Sequence, residues 1–366
     1  MERKPIIAGI SQGDINGIGY EVIIKALSDP VINDLCTPVI YGSPKVAAYH
    51  RKALNITGLN FNNIRTADEA HPKKANMINC LDDNTRVELG KSTPQGGEAA
   101  IISLTKAVED LIAGKINVLI TAPIDKNNVQ SENFRFKGHT DYLKLKAGVE
   151  EVLMFMIGES MKIGVVTDHV PLKNVPGMIT TELLVRKIKL MNQSLILDFG
   201  IRKPSIAVLG LNPHAGDNSL LGTEEAEIIA PAIAFAQKKG ILAFGPFPSD
   251  GFFGAGSFTK FDGILAMYHD QGLAPFKAIS FDSGVNFTAG LPFVRTSPAH
   301  GTAFDIAGKG EASENSFRQA MYIACDIFRN RQLHAEISRN PLKHQDIEFH
   351  NDRIDELPPD IFNAEP

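Results

Sequence analysis

The run Ile6-Ile7-Ala8-Gly9-Ile10, followed by Gly13-Asp14-Ile15-Asn16-Gly17-Ile18-Gly19 and then Glu21-Val22-Ile23-Ile24-Lys25-Ala26-Leu27, decides the fold. A short apolar run bounded by a glycine-rich turn reads as a buried strand, and the segment after the turn carries its apolar residues at helical spacing. Strand, turn and helix in that order make the first part of a βα unit. The alternation recurs, with further strands expected at Val39–Tyr41, Val118–Thr121, Val152–Ile157, Ile163–Thr167, Ile206–Leu209 and Gly263–Met267. Helices are expected at Glu98–Ala113, Thr181–Leu197, Glu224–Lys239 and Ser316–Arg329. Such units feed a mainly parallel sheet, so the class is α/β. The first turn does not spell G-x-G-x-x-G, and no ribose-binding acid follows a second strand at the expected place, so a Rossmann dinucleotide fold is not indicated.

The 366 residues suffice for two lobes around a cleft. A net charge of -5 leaves no cationic surplus to neutralise a nucleic-acid backbone. No apolar stretch approaches the length that crosses a bilayer, and the first residues lack a signal-peptide core, so a cytoplasmic protein is expected. Cys36, Cys80 and Cys325 are widely separated and read as buried thiols. Residues 56–95 are polar and aperiodic and read as a peripheral excursion with one short hairpin. The stretch from about Asn340, with His344 and His350, reads as a surface strap or a partly disordered end.

Three histidines fall just past expected strands, each with an aspartate close by: Thr167-Asp168-His169-Val170-Pro171, Leu211-Asn212-Pro213-His214-Ala215-Gly216-Asp217 and Tyr268-His269-Asp270-Gln271-Gly272. One histidine in such a place is ordinarily a hydrogen-bonded structural residue. Three in the same context at strand ends, where open parallel sheets bind ligands, point to a divalent-metal site with a coordination position left for substrate. Phe136-Lys137-Gly138-His139-Thr140-Asp141 offers two hydrogen-bonding side chains beside a glycine, although Thr140 or Asp141 could simply cap a helix through Tyr142 to Lys146. Lys277, Asn286 and Arg295 place two cations and an amide close along the chain, a set suited to a phosphate or carboxylate. Ser297 to Gly310 is a glycine-punctuated loop that could wrap a nucleotide with backbone amides.

These residues resemble the 4-hydroxythreonine-4-phosphate dehydrogenase family, NAD-dependent enzymes of pyridoxal phosphate biosynthesis. The likeness runs from about Ile6 to Cys325. It rests on Gly13-Asp14 with Gly17-Ile18-Gly19, Thr121-Ala122-Pro123, Gly138-His139-Thr140, Asp168-His169-Val170-Pro171-Leu172, Leu211-Asn212-Pro213-His214-Ala215-Gly216, Gly245-Pro246 with Pro248 and Asp250, and Tyr268-His269-Asp270-Gln271-Gly272. The chain departs from that pattern at Ile15-Asn16 and Tyr20, in the 56–95 excursion and in a longer tail.

The resemblance implies two α/β/α lobes with a central cleft, like isocitrate and isopropylmalate dehydrogenases: residues 1–136 with 301–340, residues 137–300, and a peripheral tail at 341–366. It implies a homodimer with the site at the subunit interface, a divalent ion (Zn, Mg or Co) on His169, His214 and His269, and substrate contacts from His139, Thr140, Lys277, Asn286 and Arg295. His300, Gly301, Thr302 and Asp305 would bind NAD or NADP, and Lys277 and Asp250 are candidates for taking the hydroxyl proton. The implied substrate is small and phosphorylated, with neither nucleic acid nor membrane as partner. The implied reaction is oxidation of 4-phosphooxy-L-threonine followed by decarboxylation. A related dehydrogenase acting on threonate or erythronate 4-phosphate is the nearest alternative, and a three-histidine metal hydrolase or aldolase a more distant one.

Overall fold

The computed structural model describes residues 5–131, 134–136 and 138–340, so the expected tail at 341–366 lies outside the described residues. The described residues hold β1 (Ile7–Ser11), β2 (Thr37–Gly42), β3 (Asn62–Ile64), β4 (Asn76–Asn79), β5 (Val118–Thr121), β6 (Leu153–Ile157), β7 (Lys162–Val165), β8 (Ser205–Leu209), β9 (Leu242–Phe247), β10 (Gly263–Ala266), β11 (Val285–Ala289) and β12 (Val294–Pro298). They form one sheet in the order β3-β4-β2-β1-β5-β12-β11-β6-β7-β10-β8-β9. Strands β3 to β12 at one end run parallel, and so do β7 to β9 at the other. Between them β11 and β6 pair antiparallel with each other and with their outer neighbours. Three antiparallel steps reverse the strand direction, so the two halves of the sheet run opposite ways.

Eight helices matter to the argument: α1 (Gly19–Leu27), α2 (Pro44–Ala53), α3 (Pro94–Ile112), α4 (His139–Ala147), α5 (Thr181–Leu197), α6 (Ala230–Lys238), α7 (His269–Ser280) and α8 (Asn315–Ile337). Their starts follow local chemistry. The hydroxyls of Ser43, Thr93 and Thr180 accept the amides of Val46, Gly96 and Leu183. Pro44 and Pro94 occupy the first helical positions, where no amide is needed.

Strand alternation divides the core. On one face Ile10, Ile40, Ile120, Phe155, Val208, Leu265 and Phe287 belong to one buried cluster that crosses both halves, with Phe317 and Met321 of α8 against it. On the other face the apolar residues split into two. Val39, Tyr41, Leu104 and Leu119 lie in the first half, and Ile163, Val165, Leu209, Ile264 and Phe276 in the second.

The α/β class and the mainly parallel sheet hold. The hairpin expected within 56–95 does not form: β3 and β4 pair parallel and extend the sheet from β2. Helix α3 begins at Pro94 rather than Glu98, because Gly96 and Gly97, which read as helix breakers, are needed for close packing. A Cβ on Gly97 would lie 2.2 Å from the Asn128 carbonyl oxygen. Neither Thr140 nor Asp141 caps α4, which starts at His139 with both inside its first turn. Ser297 and Pro298 belong to β12, not to the loop after it. Cys36 and Cys325 are buried as expected, whereas Cys80 is half-buried. Among the described residues no helix is long and apolar enough to cross a membrane.

Candidate active site

Between the two apolar clusters of the divided face, the central strands turn polar residues outward. Alternation puts Thr121 of β5, Asn286 and Thr288 of β11 and Arg295 of β12, next to Met154 and Met156 at the edge of the second cluster, on the side opposite Ile120, Phe155, Phe287 and Val294. A cavity of about 360 Å³ opens over this patch, walled by the ends of β5, β7 and β10, the start of α4 and the loop after β12. It gathers His139, Thr140, His169, His269, Lys277, Asn286, Arg295, His300 and Gly301. Nearly all the residues singled out in the sequence for metal and substrate therefore meet here, from segments more than 150 positions apart.

Arg295 forms the floor and is 3% exposed. Its Nε and Nη2 donate to Thr121 Oγ1 at 3.1 and 2.7 Å, and its Nη1 donates to Thr288 Oγ1 at 3.3 Å. No carboxylate of the described residues pairs with it. Burial lowers its pKa to about 9, so it keeps its charge at neutral pH. A buried cation held by neutral hydroxyls lacks its compensating anion. Three further polar atoms around the cavity are buried without a partner: His139 Nε2, Asn286 Oδ1 and His300 Nε2. Such atoms are rare in folded interiors unless a ligand or water satisfies them. Burial, together with the charges of Arg295 and Lys126, holds His139 well below the ordinary imidazole range.

The three strand-end histidines are only partly united. The rings of His169 and His269 lie 5.5 Å apart, centroid to centroid. His269 Nδ1 lies 2.7 Å from Asp270 Oδ1, which fixes the proton on Nδ1 and leaves the Nε2 lone pair. His169 Nε2 lies 3.1 Å from Lys126 Nζ, an ammonium that can only donate, so that nitrogen also presents a lone pair. Burial and the Lys126 charge depress the His169 pKa. Two imidazoles whose Nε2 atoms can accept suit a borderline divalent ion, and the Lys126 ammonium stands against one of them, His169. His214 lines a second pocket instead, with Asn212, Asp250, Tyr268 and Asp270. Among the described residues of one chain, no three His, Cys, Asp or Glu side chains converge on a metal position.

The loop after β12 puts His300 and Gly301 in the cavity wall, with His300 Nδ1 3.1 Å from the Gly301 carbonyl oxygen. Thr302 turns away, and its carbonyl accepts from Ile18 N at 3.0 Å. Asp305 sits in a short 3-10 turn, Phe304–Ile306, which does not line the cavity. The glycine turn after β1 is the seat of this loop, since a Cβ on Gly17 would lie 2.6 Å from the Thr302 carbonyl oxygen. The unusual residues of that turn are satisfied: Asn16 bonds Thr93 and Glu88, and Tyr20 donates to Gln12 Oε1 at 2.6 Å.

Sequence reading singled out the segment Thr121 to Lys126 without giving Thr121 or Lys126 a role, and passed over Thr288. Lys126 follows the quoted Thr121-Ala122-Pro123 run at the end of β5, and that position was its signal. Thr121 and Thr288 show as Arg295 partners only once β5, β11 and β12 are adjacent.

The fold and site define an α/β protein whose cavity, floored by a buried guanidinium beside paired imidazoles, is chemically suited to a small anion. The family model described as "Pyridoxal phosphate biosynthetic protein PdxA" matches residues 34–324, and the chain belongs to that family. It is 54% identical over 353 residues to a 4-hydroxythreonine-4-phosphate dehydrogenase of Bacteroides thetaiotaomicron, covering 96% of this chain and 97% of the relative. It is 41% identical to one of Sulfurihydrogenibium, covering 88% and 98%. The crystal structure of a 4-hydroxythreonine-4-phosphate dehydrogenase from Klebsiella pneumoniae superposes with a TM-score of 0.78 at 34% identity, covering 88% of this chain and 98% of that one.

Proposed function

We propose that this protein oxidises 4-phosphooxy-L-threonine at its C3 hydroxyl, with NAD or NADP as hydride acceptor. The product is 2-amino-3-oxo-4-phosphooxybutanoate, which loses carbon dioxide to give 3-amino-2-oxopropyl phosphate on the route to pyridoxal phosphate. The observation that carries this reading is Arg295, a buried guanidinium with no counter-ion among the described residues, at the floor of a cavity of substrate size. Of its five N–H groups three are engaged, leaving two for the oxygens of one anion. Lys277 and Asn286 add a charge and an amide to that anion site, and His139 and Thr140 hold the opposite end of the substrate.

When bound, a divalent ion supplies Lewis-acid polarisation of the alcohol and then of the ketone, while the nicotinamide takes the hydride. His169 and His269 hold that ion, and His214 joins them across a subunit interface in a homodimer. Imidazole donors favour Zn or Co over Mg. His300, Gly301, Thr302 and Asp305 form the cofactor loop. Lys277, in the cavity, and Asp250, beside His214, are the candidates for receiving the hydroxyl proton. We further propose the lobes 1–136 with 301–340 and 137–300, and a cytoplasmic setting. The test is a panel assay with NAD and NADP, following reduced-cofactor absorbance with 4-phosphooxy-threonine, threonate 4-phosphate and erythronate 4-phosphate. Highest kcat/KM on the amino acid supports the reading, turnover of the sugar acids alone assigns the alternative dehydrogenase, and no nucleotide binding returns the hydrolase reading.

A further inference from the structure

The histidine-bearing loops leave the ends of three adjacent strands, β7, β10 and β8, whose ladders stop at Ala266 with Val165 and Leu265 with Val208, so beyond those pairs the loops need other ties. Gln271, two residues after His269 and 8% exposed, supplies one. Its Oε1 accepts the amide of Met267 at 2.7 Å, at the exit of β10. Its Nε2 donates to the Gly210 carbonyl at 2.7 Å, at the exit of β8. One side-chain amide therefore uses both its ends to join the base of the His269 loop to the base of the His214 loop. Met267 is tied on its other side as well, its carbonyl accepting from Thr167 Oγ1 at 2.8 Å and Thr167 N at 3.2 Å, at the base of the His169 loop.

The His214 loop has reason to need such a tie. His214, Ala215, Asp217, Asn218 and Ser219 all adopt positive φ, between 43° and 71°, a run that L-residues avoid and that persists only where its surroundings impose it. Glu225, 5% exposed, supplies part of that constraint by accepting the amides of Leu211 and Asn212, each at 2.7 Å. Those bonds set the shape of the turn, whereas Gln271 adds, past the end of the β8–β10 ladder, a side-chain tie between its base and the exit of β10.

We propose that Gln271 is a positioning residue, holding the strand ends that bear His214 and His269 in a fixed relation so that each imidazole stands where a metal ion would need it. The inference rests on the proposed metal role of these histidines. The tie lies within one chain, so it orders both rings whether they serve one site or two across a dimer.

The test is titration of the full-length protein with Co(II), followed by calorimetry and by its visible absorption, for wild type, Gln271→Met and Gln271→Glu. Methionine keeps the length and loses both hydrogen bonds; glutamate keeps the acceptor for Met267 and sets an oxygen against the Gly210 carbonyl. Groups that orient metal ligands typically change metal affinity by about 10- to 100-fold, and a loss in that range is expected for both variants, with an altered Co(II) spectrum. KM for NAD should stay put, and kcat should recover as Co(II) is raised. Should the methionine variant fail to fold, the glutamate variant carries the same criterion. A folded variant with wild-type Co(II) affinity and spectrum overturns the positioning role. Wild-type protein that binds no Co(II) overturns the metal reading itself.

Discussion

Replacing Arg295 by Met removes the guanidinium while roughly keeping its volume, and the structure predicts opposite effects on binding and on stability. Arg295 offers an incoming anion two N–H groups in a desolvated fork. Losing such a charge-assisted contact costs about 3–4 kcal/mol within the range for buried ionic contacts, which at 1.4 kcal/mol per tenfold is roughly 150- to 1000-fold. That loss should appear in KM for the phosphorylated substrate, with KM for NAD changed far less. The unliganded protein should not suffer in proportion. Its guanidinium has no carboxylate partner among the described residues, so removing it also removes an uncompensated buried charge, and Tm without substrate should be unchanged or higher. Inorganic phosphate should raise the Tm of the wild type and not that of the variant, because only a state that binds the ion gains from it. Initial-rate kinetics and thermal melts with and without phosphate read all three quantities. An unchanged substrate KM refutes anion anchoring, and a large Tm loss without ligand refutes the view that this cation is held for the ligand and not for the fold.

Other outcomes follow from the same geometry. Burial lowers the pKa of His50, so it folds neutral and takes up a proton on unfolding as pH drops below about 6.5. Its contribution is thus complete above that pH and is lost as pH falls towards the folded value, at up to about 1.4 kcal/mol per pH unit. His50→Gln, which can still donate to the Ile15 carbonyl, should flatten the fall in urea midpoint between pH 7 and pH 5; an unaltered slope would exclude this histidine as a source. Gly17→Ala pushes a methyl into the Thr302 carbonyl and should raise KM for NAD by roughly tenfold while sparing the substrate, since about 1.4 kcal/mol of loop displacement is enough; an unmoved NAD constant would separate the loop from the cofactor. His214→Ala should keep the fold and lose both bound metal and nearly all turnover, and full activity in a metal-free variant would remove it from the site.

How far the sequence could be read depended on whether a feature is local. The β1 turn and α1, the strand-end positions of the three histidines, and the apolar runs of β5 to β8 and β10 are local patterns, and they came through. The strands β11 and β12 did not, because their faces differ in chemistry: Phe287 and Val294 serve the core while Asn286 and Arg295 line the cavity with Thr288 holding Arg295 from beneath, and the glycines and prolines around them read as loop. Helix α3 was begun late for a related reason. Gly96 and Gly97 weaken the helix pattern because they admit Asp14 and the Asn128 carbonyl, a contact invisible from spacing.

The same divided chemistry explains why the site lies in the middle of the sheet. Strands packed on both faces are ordinarily apolar, whereas β11 and β12 carry polar residues on one face even where they are buried, so a helix laid over that face would strand Arg295 and Asn286. The apolar clusters stop on either side of them. The opening that results is what an unpaired guanidinium requires, since only a ligand delivered from solvent can neutralise it. Although the reversal of strand direction across β11 and β6 points the carboxyl end of β5 and those of β7 and β10 opposite ways, the segments that follow these strands line one cavity, so that the cation on Lys126 and the imidazoles of His169 and His269 share its walls. Interrupting the apolar pattern on these central strands is therefore the feature that turns a covered α/β sheet into one with a polar cleft. Restoring it, as with Arg295→Met together with Asn286→Leu, should close the cavity to anions while leaving β11 and β12 paired.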